Sequence, residues 1–408
     1  MTMDVCNCLP PMLSGEELRA AMAILPDYNE AIRGASVTDR LIALSELYRV
    51  YIPSQMSVEI YSKIYLALLR SLQKKETKIA VRQRNQNARG CHGGMYEGII
   101  GGADSFTIIS PSGAGKSSAV SRSVQLIGAD QVINSGLNNK VVPCIVVQCP
   151  FDSSVKGLLL EILRVVDERL GSSYCQKAIR AKATTDMLIG SVSQVALNHI
   201  GLLIVDEIQN VVANKQGKNL LASLIQLINN SGISVCMVGT PECLPFFQSA
   251  PQLARRSLGL QYTEFPCNQE FAQLCQVLFR YAYVQDVMEC SSAVVQWLYE
   301  HSGGIAANVV SLVHDALELA ILNGTERLDF EVLNMAYKQR MSMLHGYVVP
   351  SLKSSRQKTK KQDEIPLCLP NEQQEDTSIA QLVELAKNHG RDVVAVIRQY
   401  YSVEEVCL

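Results

Sequence analysis

The chain has 408 residues, of which 48% are hydrophobic and 19% are charged. At about 150 residues per domain this length predicts two to three domains, and the apolar content excludes a disordered chain. The 37 basic and 39 acidic side chains nearly cancel, which excludes a uniformly basic nucleic-acid coat but allows a local basic face. No apolar run reaches the roughly 18 residues that a membrane span requires, and no signal-peptide pattern opens the chain. We therefore expect a soluble, cytoplasmic protein without a membrane partner.

The 13 cysteines are many for a chain of this kind. Most lie in apolar runs, as Cys144 and Cys149 do in VVPCIVVQC, where cysteine acts as a small hydrophobic residue. A zinc site is the alternative, but the sequence has no CxxC pair, and Cys6, Cys8 and Cys91 lack a second pair of ligands. We expect reduced thiols, most of them buried.

Residues 1–95 are predicted to form a helical N-terminal region. Between Ser54 and Lys74, apolar side chains recur every three or four residues, which places them on one face of an amphipathic helix. The basic stretch that follows is either a solvated charged surface or a patch that contacts phosphates. The apolar positions are Val58, Tyr61, Tyr65, Leu68 and Leu72, and the basic ones are Lys74, Lys75, Lys78, Arg82, Arg84 and Arg89.

Residues 96–267 alternate short β-branched runs with helical stretches. Continuous apolar strands separated by helices predict an α/β domain, with a parallel sheet that helices cover on both faces. The predicted strands are SFTIIS, VVPCIVVQC, GLLIVDE, ISVCMVGT and, as a fifth, LQYTEF.

The remainder of the chain divides into three further zones. Residues 268–345 read as helical throughout and are predicted to form a separate helical unit. The polar stretch 346–376, interrupted by Pro366 and Pro370, predicts a flexible linker. The last zone, 377–408, is apolar-periodic again and predicts one or two small helices in a C-terminal tail.

The sharpest motif begins where the first predicted strand of the α/β domain ends. The segment Ser110-Pro111-Ser112-Gly113-Ala114-Gly115-Lys116-Ser117 is a Walker A loop, with Ser110 in place of the usual first glycine. Its glycines let the backbone curl around a phosphate, whose charge the following helix N-terminus also favours. We expect Lys116 to reach the β- and γ-phosphates of ATP and Ser117 to bind Mg²⁺. The expected nucleotide-binding residues are Ser112, Gly113, Ala114, Gly115, Lys116, Ser117 and Ser118, together with Asp206.

A second buried strand ends in Asp206 and Glu207, as a Walker B motif does. Asp206 is expected to join Ser117 in holding Mg²⁺, and Glu207 to act as general base on the attacking water. The alternative is a strand end with two exposed carboxylates. The next apolar strand ends at Thr240, from where a hydroxyl could sense the γ-phosphate or position the water.

Arg255 and Arg256 lie just before the last predicted strand, far along the chain from the loop. In ring ATPases an arginine at this place is offered to the nucleotide of the neighbouring subunit, where it stabilises charge in the transition state. Either residue is a candidate for this role, and a structural salt bridge is the alternative.

These motifs together resemble those of an AAA+ ATPase, and within that superfamily the chain resembles the TnsC/TniB transposition regulators. The more specific resemblance rests on GTPECLPFFQSAPQLARR, on DEIQN and on YRVYIPSQMSVEIYSKIYLALLRSLQ, and it spans about residues 45 to 345. It implies a parallel sheet of order 5-1-4-3-2, with residues 268–345 as an all-helical lid. One departure is Ser110. Another is the lid segment from His301 to Asn308, which lacks the arginine usual in a sensor-two region and so implies slow hydrolysis, suited to a switch.

The resemblance implies that ATP-bound subunits form a ring or helical filament on duplex DNA. They would connect a target-selection protein of the TniQ/TnsD type, with or without a CRISPR effector, to transposase subunits, for which the tail would be a tether. A helicase loader or origin-type ATPase shares the motifs of the core and stays an alternative, as does a STAND-like signalling switch that binds no DNA. We expect DNA contacts to phosphates alone, without sequence preference. The candidate contacts, each also explicable as a solvated surface cation, are Lys156, Lys177, Arg180, Lys182, Lys215 and Lys218.

Overall fold

A six-stranded sheet organises the middle of the chain, within the residues that this computed structural model describes: 9–77, 81, 105–128, 131–135, 139–214, 217–248 and 259–342. The strands lie in the spatial order β2-β3-β4-β5-β1-β6, and every pair is parallel except β2 with β3. Their bounds are β1 (Phe106–Ile109), β2 (Ile133–Ser135), β3 (Asn139–Gln148), β4 (Ile200–Asp206), β5 (Ser234–Gly239) and β6 (Leu260–Gln261).

The five parallel strands are the five that the apolar runs predict. Numbered along the chain, they read 5-1-4-3-2 across the sheet, so the predicted AAA+ order is confirmed. The antiparallel edge strand β2 was not predicted, because its three residues, Ile-Asn-Ser, are too few and too polar to give an apolar pattern.

Helices cover both faces of the sheet, as predicted. Those that precede the lid are α1 (Gly15–Met22), α2 (Val37–Leu44), α3 (Gln55–Lys75), α4 (Lys116–Leu126), α5 (Val155–Leu170), α6 (Tyr174–Arg180), α7 (Thr185–His199), α8 (Asn210–Ala213), α9 (Gly217–Ser231) and α10 (Leu244–Gln248). Helices α5, α7 and α9 pack on the face that includes Val205 and Val235, whereas α1, α3 and α4 pack on the face that includes Ile204 and Cys236. Adjacent strand residues thus enter opposite cores, which explains the continuous apolar runs.

The predicted amphipathic helix is α3, and its apolar face lies on the sheet. Tyr61, Leu68 and Leu72 are fully buried there. At the end of the helix, Lys75 is 6% exposed and donates to the carbonyls of Ala196 and Leu197, at 2.7 and 2.6 Å. It therefore satisfies two of the last four carbonyls of α7, and it is not available to a phosphate-contacting patch. The basic residues of that stretch from Lys78 to Arg89 lie outside the described residues.

The lid is helical as predicted, apart from one pair of two-residue parallel strands, β7 (Asp286–Val287) and β8 (Arg327–Leu328). Its helices are α11 (Gln269–Arg280), α12 (Ser292–Ser302), α13 (Ala306–Leu322) and α14 (Phe330–Arg340). Within the described ranges no single helix is both long and apolar enough to span a membrane, although α12 and α13, bent by 112°, meet the length and composition together. The predicted linker and tail, 346–376 and 377–408, lie outside the described residues.

The N-terminal region packs partly on the core and partly on the lid. Leu18 and Met22 of α1 join the cluster beneath α3, whereas Leu44 and Leu47 join the apolar cluster of the lid. The chain therefore crosses from core to lid after α1 and returns before α3. The two crossings pair with each other through Ile24 and Tyr51, whose backbone groups exchange two hydrogen bonds of 2.9 Å.

An ion pair between Arg40 and Glu326 fastens α2 to the lid. The two hydrogen bonds measure 2.5 and 2.7 Å, and Arg40, which is 5% exposed, also donates to the carbonyl of Tyr283. Because Glu326→Ala leaves a buried guanidinium unpaired, we expect the free energy of unfolding to fall by about 2–4 kcal/mol. Glu46→Ala, which breaks the exposed pair of Glu46 with Arg49, is the control and should cost about 0.5 kcal/mol or less. Urea unfolding measures both.

The same pair predicts a pH dependence. The hydrogen bond from Arg40 lowers the pKa of Glu326 below its ordinary value. The stabilisation is therefore complete above the pKa of an unfolded glutamate and is lost as the pH falls through the lower, folded value. The stability difference between the wild type and Glu326→Ala should shrink towards acid pH. An equal cost for Glu326→Ala and Glu46→Ala at neutral pH would contradict the role assigned to this pair.

Candidate functional site

The Walker A loop connects β1 to α4 in the conformation that its glycines permit. Gly113 has φ +77° and Gly115 has φ +99°, values that residues with a Cβ rarely adopt. Ser110, which replaces the first glycine of the motif, has no positive φ, is buried, and donates its backbone N–H to the carbonyl of Gly239 at 3.2 Å. A glycine is therefore not required at position 110, and the departure from the motif leaves the loop intact.

Lys116 is buried in the loop without a partner among the described residues. The residue is 6% exposed, and its side chain makes no hydrogen bond or ion pair with the described part of the chain. A mostly buried lysine side chain without an anionic partner is costly, and an anion bound beside it offsets that cost. With the two left-handed glycines and the start of α4 beside it, Lys116 fits the phosphates of a nucleotide.

Ser117 and Asp206 meet at the carboxyl edge of the sheet. The Ser117 hydroxyl donates to Asp206 Oδ2 at 3.0 Å, although the two residues lie in separate motifs. A hydroxyl and a carboxylate are oxygen ligands of the kind that Mg²⁺ prefers. The donor set therefore fits the predicted magnesium site.

Glu207 follows Asp206 in a tight turn after β4. Its φ is +58°, which is uncommon for a residue other than glycine. Residues with such backbone conformations are often found at functional sites. Its backbone N–H donates to Asp206 Oδ1 at 2.8 Å, and its carboxylate accepts a hydrogen bond from the side-chain amide of Gln209. The strand end thus presents two carboxylates, of which Asp206 contacts the Walker A serine and Glu207 does not.

Thr240 lies at the end of β5, between the two Walker strands, as predicted. Its backbone N–H donates to Gln209 Oε1 at 3.3 Å, and its hydroxyl donates to Glu242 Oε2 at 3.0 Å. Thr240 is therefore linked to Glu207 through Gln209. This link could not be inferred from the motif spacing.

A cavity of about 270 Å³ opens beside the loop, between the core, the N-terminal region and the lid. Most of its apolar lining comes from residues that sequence reasoning did not assign to a site. Of these residues, only the run from Tyr48 to Ser57 was noted in the sequence, where it is part of the stretch that resembles the transposition regulators. The lining includes Tyr48, Val50, Ile52, Met56, Phe265, Leu274 and Val310, with Gly113, Gly115 and Ser118 on the loop side.

The lid contacts the loop directly. The backbone N–H of Ala307 donates to the carbonyl of Gly113 at 3.1 Å. A Cβ at Gly113 would lie 3.0 Å from Ile305 Cγ2 and 3.1 Å from Ala307 Cβ. The segment in which the sensor-two arginine is missing therefore packs on the phosphate-binding loop through small and apolar groups.

The candidate DNA-contacting cations that the structure describes are all exposed. Lys156, in the first turn of α5, lines a second cavity of about 450 Å³ with Thr185 of α7 and Asn219 of α9. First turns of three helices thus border this cavity, and Lys218 is the neighbour of Asn219. Lys177 and Arg180 lie on α6, and Lys182 follows it with φ +49°. Lys215, Arg255 and Arg256 lie outside the described residues.

The eight described cysteines are free thiols, and Cys144, Cys149, Cys236, Cys243 and Cys275 are buried. Burial raises the pKa of the Cys243 thiol to about 11. The burial of five of the eight described cysteines agrees with the prediction that most are buried, whereas Cys6, Cys8 and Cys91 lie outside the described residues.

Comparisons with known proteins give one family match and several similar solved structures. Residues 102–264 match the family model described as "Bacterial TniB protein", and no curated protein matches the chain. Among solved structures, the chain is similar to the Aeropyrum pernix ORC2 protein in ADPNP-ADP complexes, at 16% identity and TM-score 0.41, covering 64% of this chain and 66% of that one. It is also similar to the Aeropyrum pernix ORC1 protein in complex with DNA, at 15% identity and TM-score 0.43, covering 64% of each chain. A third is the Thermotoga maritima RuvB Holliday junction branch migration motor, at 13% identity and TM-score 0.37, covering 64% and 66%.

The chain spans slightly less than two thirds of the length of these three structures. The family match covers both Walker motifs and strand β5, which Thr240 follows, and the sheet order observed within it is that of AAA+ proteins. Residues 102–264 of this chain thus match the TniB family model, and their sheet has the strand order expected of an AAA+ P-loop ATPase.

Proposed function

We propose that this protein is an ATP-dependent regulator of DNA transposition. It would oligomerise on double-stranded target DNA and connect a target-selection protein to a transposase. The observation that carries the proposal is the prepared phosphate site, in which buried Lys116 has no partner among the described residues, inside a segment that matches the TniB family. The alternatives, a helicase loader and a signalling switch, have no specific observation in their favour.

In the proposed ATP complex, Lys116 holds the β- and γ-phosphates, and the backbone from Ser112 to Ser118 surrounds them. Ser117 and Asp206 hold Mg²⁺, which when bound neutralises charge on the phosphates. The apolar cavity between Ile52, Phe265 and Val310 receives the adenine base of ATP. Because that cavity has walls from the core, the N-terminal region and the lid, nucleotide binding would fix the three relative to one another.

Glu207 is the proposed general base of hydrolysis. The attacking water gives its proton to the Glu207 carboxylate as its oxygen bonds to the γ-phosphorus, and the bond to the bridging oxygen breaks with its electron pair on ADP. Thr240 is the proposed sensor of the γ-phosphate. Arg255 or Arg256 of a neighbouring subunit is proposed to contact the nucleotide and stabilise the charge of the transition state. The small contacts of Ile305 and Ala307 with the loop, where other AAA+ proteins offer an arginine, support slow turnover that acts as a switch.

The proposed DNA contact is electrostatic. Lys156 lies in the first turn of α5, beside the first turns of two further helices, and such N-termini favour phosphate groups. Lys177, Arg180, Lys182, Lys215 and Lys218 complete the proposed set. The tail 377–408 would bind transposase subunits, and a selector of the TniQ/TnsD type, with or without a CRISPR effector, would bind the other end of the oligomer.

A salt titration of fluorescent duplex DNA with an ATP analogue tests the DNA-binding part of the proposal. Affinity should fall steeply with salt and hardly vary with sequence, because each neutralised phosphate releases counterions. Lys156→Ala should weaken binding to all sequences alike and flatten the salt slope by about one unit. The control is Lys338→Ala, an exposed lysine of α14 in the lid, which should leave the slope unchanged.

Two outcomes of the titration, and one of a co-purification, would contradict this proposal. Tight binding that depends on one sequence would exclude a contact to phosphates alone. Absence of binding up to micromolar protein at low salt would favour the signalling switch. Co-purification with a replicative helicase, rather than with a transposase, would favour the loader.

A further inference from the structure

The side chain of Gln209 spans the two strand ends that carry Glu207 and Thr240. Its Nε2 donates to Glu207 Oε2, and its Oε1 accepts the backbone N–H of Thr240 at 3.3 Å. Gln209 is the third residue after β4, in the turn that leads to α8. One half-buried amide therefore joins the Walker B glutamate to the strand between the two Walker motifs.

The chemistry of the two partners fixes the orientation of this amide. The backbone N–H of Thr240 can only donate, so it requires the oxygen of Gln209, whereas an ionised carboxylate can only accept, so it requires the nitrogen. A flipped amide would oppose donor to donor and acceptor to acceptor. Glutamine thus satisfies both partners at once, which neither glutamate nor a hydrocarbon side chain can do.

The backbone around Gln209 is anchored on both sides. The N–H of Ile208 donates to the carbonyl of Val238 at 2.9 Å, and the carbonyl of Gln209 accepts the N–H of Val212 at 2.9 Å. The amide also packs against the end of β5, where a Cβ at Gly239 would lie 2.9 Å from Gln209 Oε1. Gln209 has little freedom to leave this position while the turn is intact.

We infer that Gln209 is a positioning residue for Glu207, and this inference rests on the proposed function, in which Glu207 is the base. By holding Oε2, the amide leaves Oε1 of Glu207 for the attacking water. Because the same amide also holds the N–H of Thr240, the position of the Glu207 carboxylate is coupled to the position of the end of β5. A displacement of that strand end, from the γ-phosphate or from a neighbouring subunit, would then change the orientation of the base.

Steady-state ATP hydrolysis by three variants, with and without duplex DNA, tests this inference. Gln209→Ala should lower kcat by about 10²-fold, the loss expected when a catalytic group is misplaced by about 1 Å. ATP affinity should stay close to that of the wild type, since no ligand of the phosphates or of Mg²⁺ changes. Gln73→Ala, at an exposed position on α3, is the matched control and should leave both kcat and KM unchanged.

Gln209→Glu separates the two ends of the bridge. A glutamate keeps the acceptor for Thr240 and the size of the side chain, but it removes the donor to Glu207 and adds a like charge. Loss of kcat equal to or greater than that of Gln209→Ala, with KM unchanged, would support positioning of Glu207. Restored kcat in Gln209→Glu would overturn the inference in favour of a structural link to Thr240.

Unchanged kcat in Gln209→Ala, or loss of ATP binding in that variant, would also overturn the inference. These outcomes differ from failure of the proposed function. If the wild type hydrolyses ATP and Glu207→Gln does not, while the Gln209 variants behave as wild type, only the role of Gln209 is wrong. If the wild type itself neither binds nor hydrolyses ATP, the proposed function fails and the inference fails with it.

Discussion

Lys116→Ala is expected to abolish detectable ATP binding. The ammonium group would make charge-assisted hydrogen bonds to the β- and γ-phosphates, each of which contributes about 1.5–3 kcal/mol. Their joint loss corresponds to a decrease in affinity of about 10²-fold or more. No other described cation lies in the loop that could replace Lys116.

Titration of the purified variant with a fluorescent ATP analogue measures this effect. Because Lys116 is buried without a partner in the described structure, its removal should not lower thermal stability in the absence of nucleotide. A folded variant that fails to bind ATP is therefore the expected result. The control is Lys338→Ala on the lid surface, which should bind as the wild type does. Normal affinity in Lys116→Ala would contradict the assignment of the phosphate site.

The sheet and the Walker motifs could be predicted because their signals are local. Strands buried on both faces must be apolar at every position, so the runs ending at Ile109, Asp206 and Gly239 were visible in the sequence. Parallel strands bring their carboxyl ends to one edge, and this explains why residues as distant in sequence as Ser117 and Asp206 meet at 3.0 Å. The spacing of the Walker motifs was therefore sufficient to predict that these two residues lie in one site.

The pocket and the bridge could not be predicted in the same way. Val50 and Ile52 look like ordinary core residues, and only the crossing of the chain between lid and core makes them walls of a cavity beside Gly113. Lys75 illustrates the opposite case, since a residue in a basic run ends buried against two carbonyls of α7. The bridge through Gln209 lies in a turn where Glu207 has a φ of +58°, a value that no propensity of glutamate indicates.

The substitution with the largest expected effect on turnover is Glu207→Gln, which should bind ATP but hydrolyse it about 10²- to 10⁴-fold more slowly. The carboxamide has nearly the same size but cannot take up the proton of the water. Ser117 and Asp206, which remain in place, should still hold Mg²⁺. The DNA-bound oligomer should consequently persist after ATP is added.

Phosphate release and the dissociation of a fluorescent duplex measure the two effects of Glu207→Gln in one preparation. Glu289→Gln, at an exposed carboxylate of the lid, is the matched control and should behave as the wild type in both. Slow phosphate release together with slow dissociation would mean that hydrolysis releases the DNA, because the substitution leaves all proposed DNA contacts unchanged. Slow phosphate release with normal dissociation would separate catalysis from DNA release and contradict the switch. Unchanged turnover would show that Glu207 is not the base. Of the two carboxylates at the end of β4, only Asp206 would then keep a proposed role.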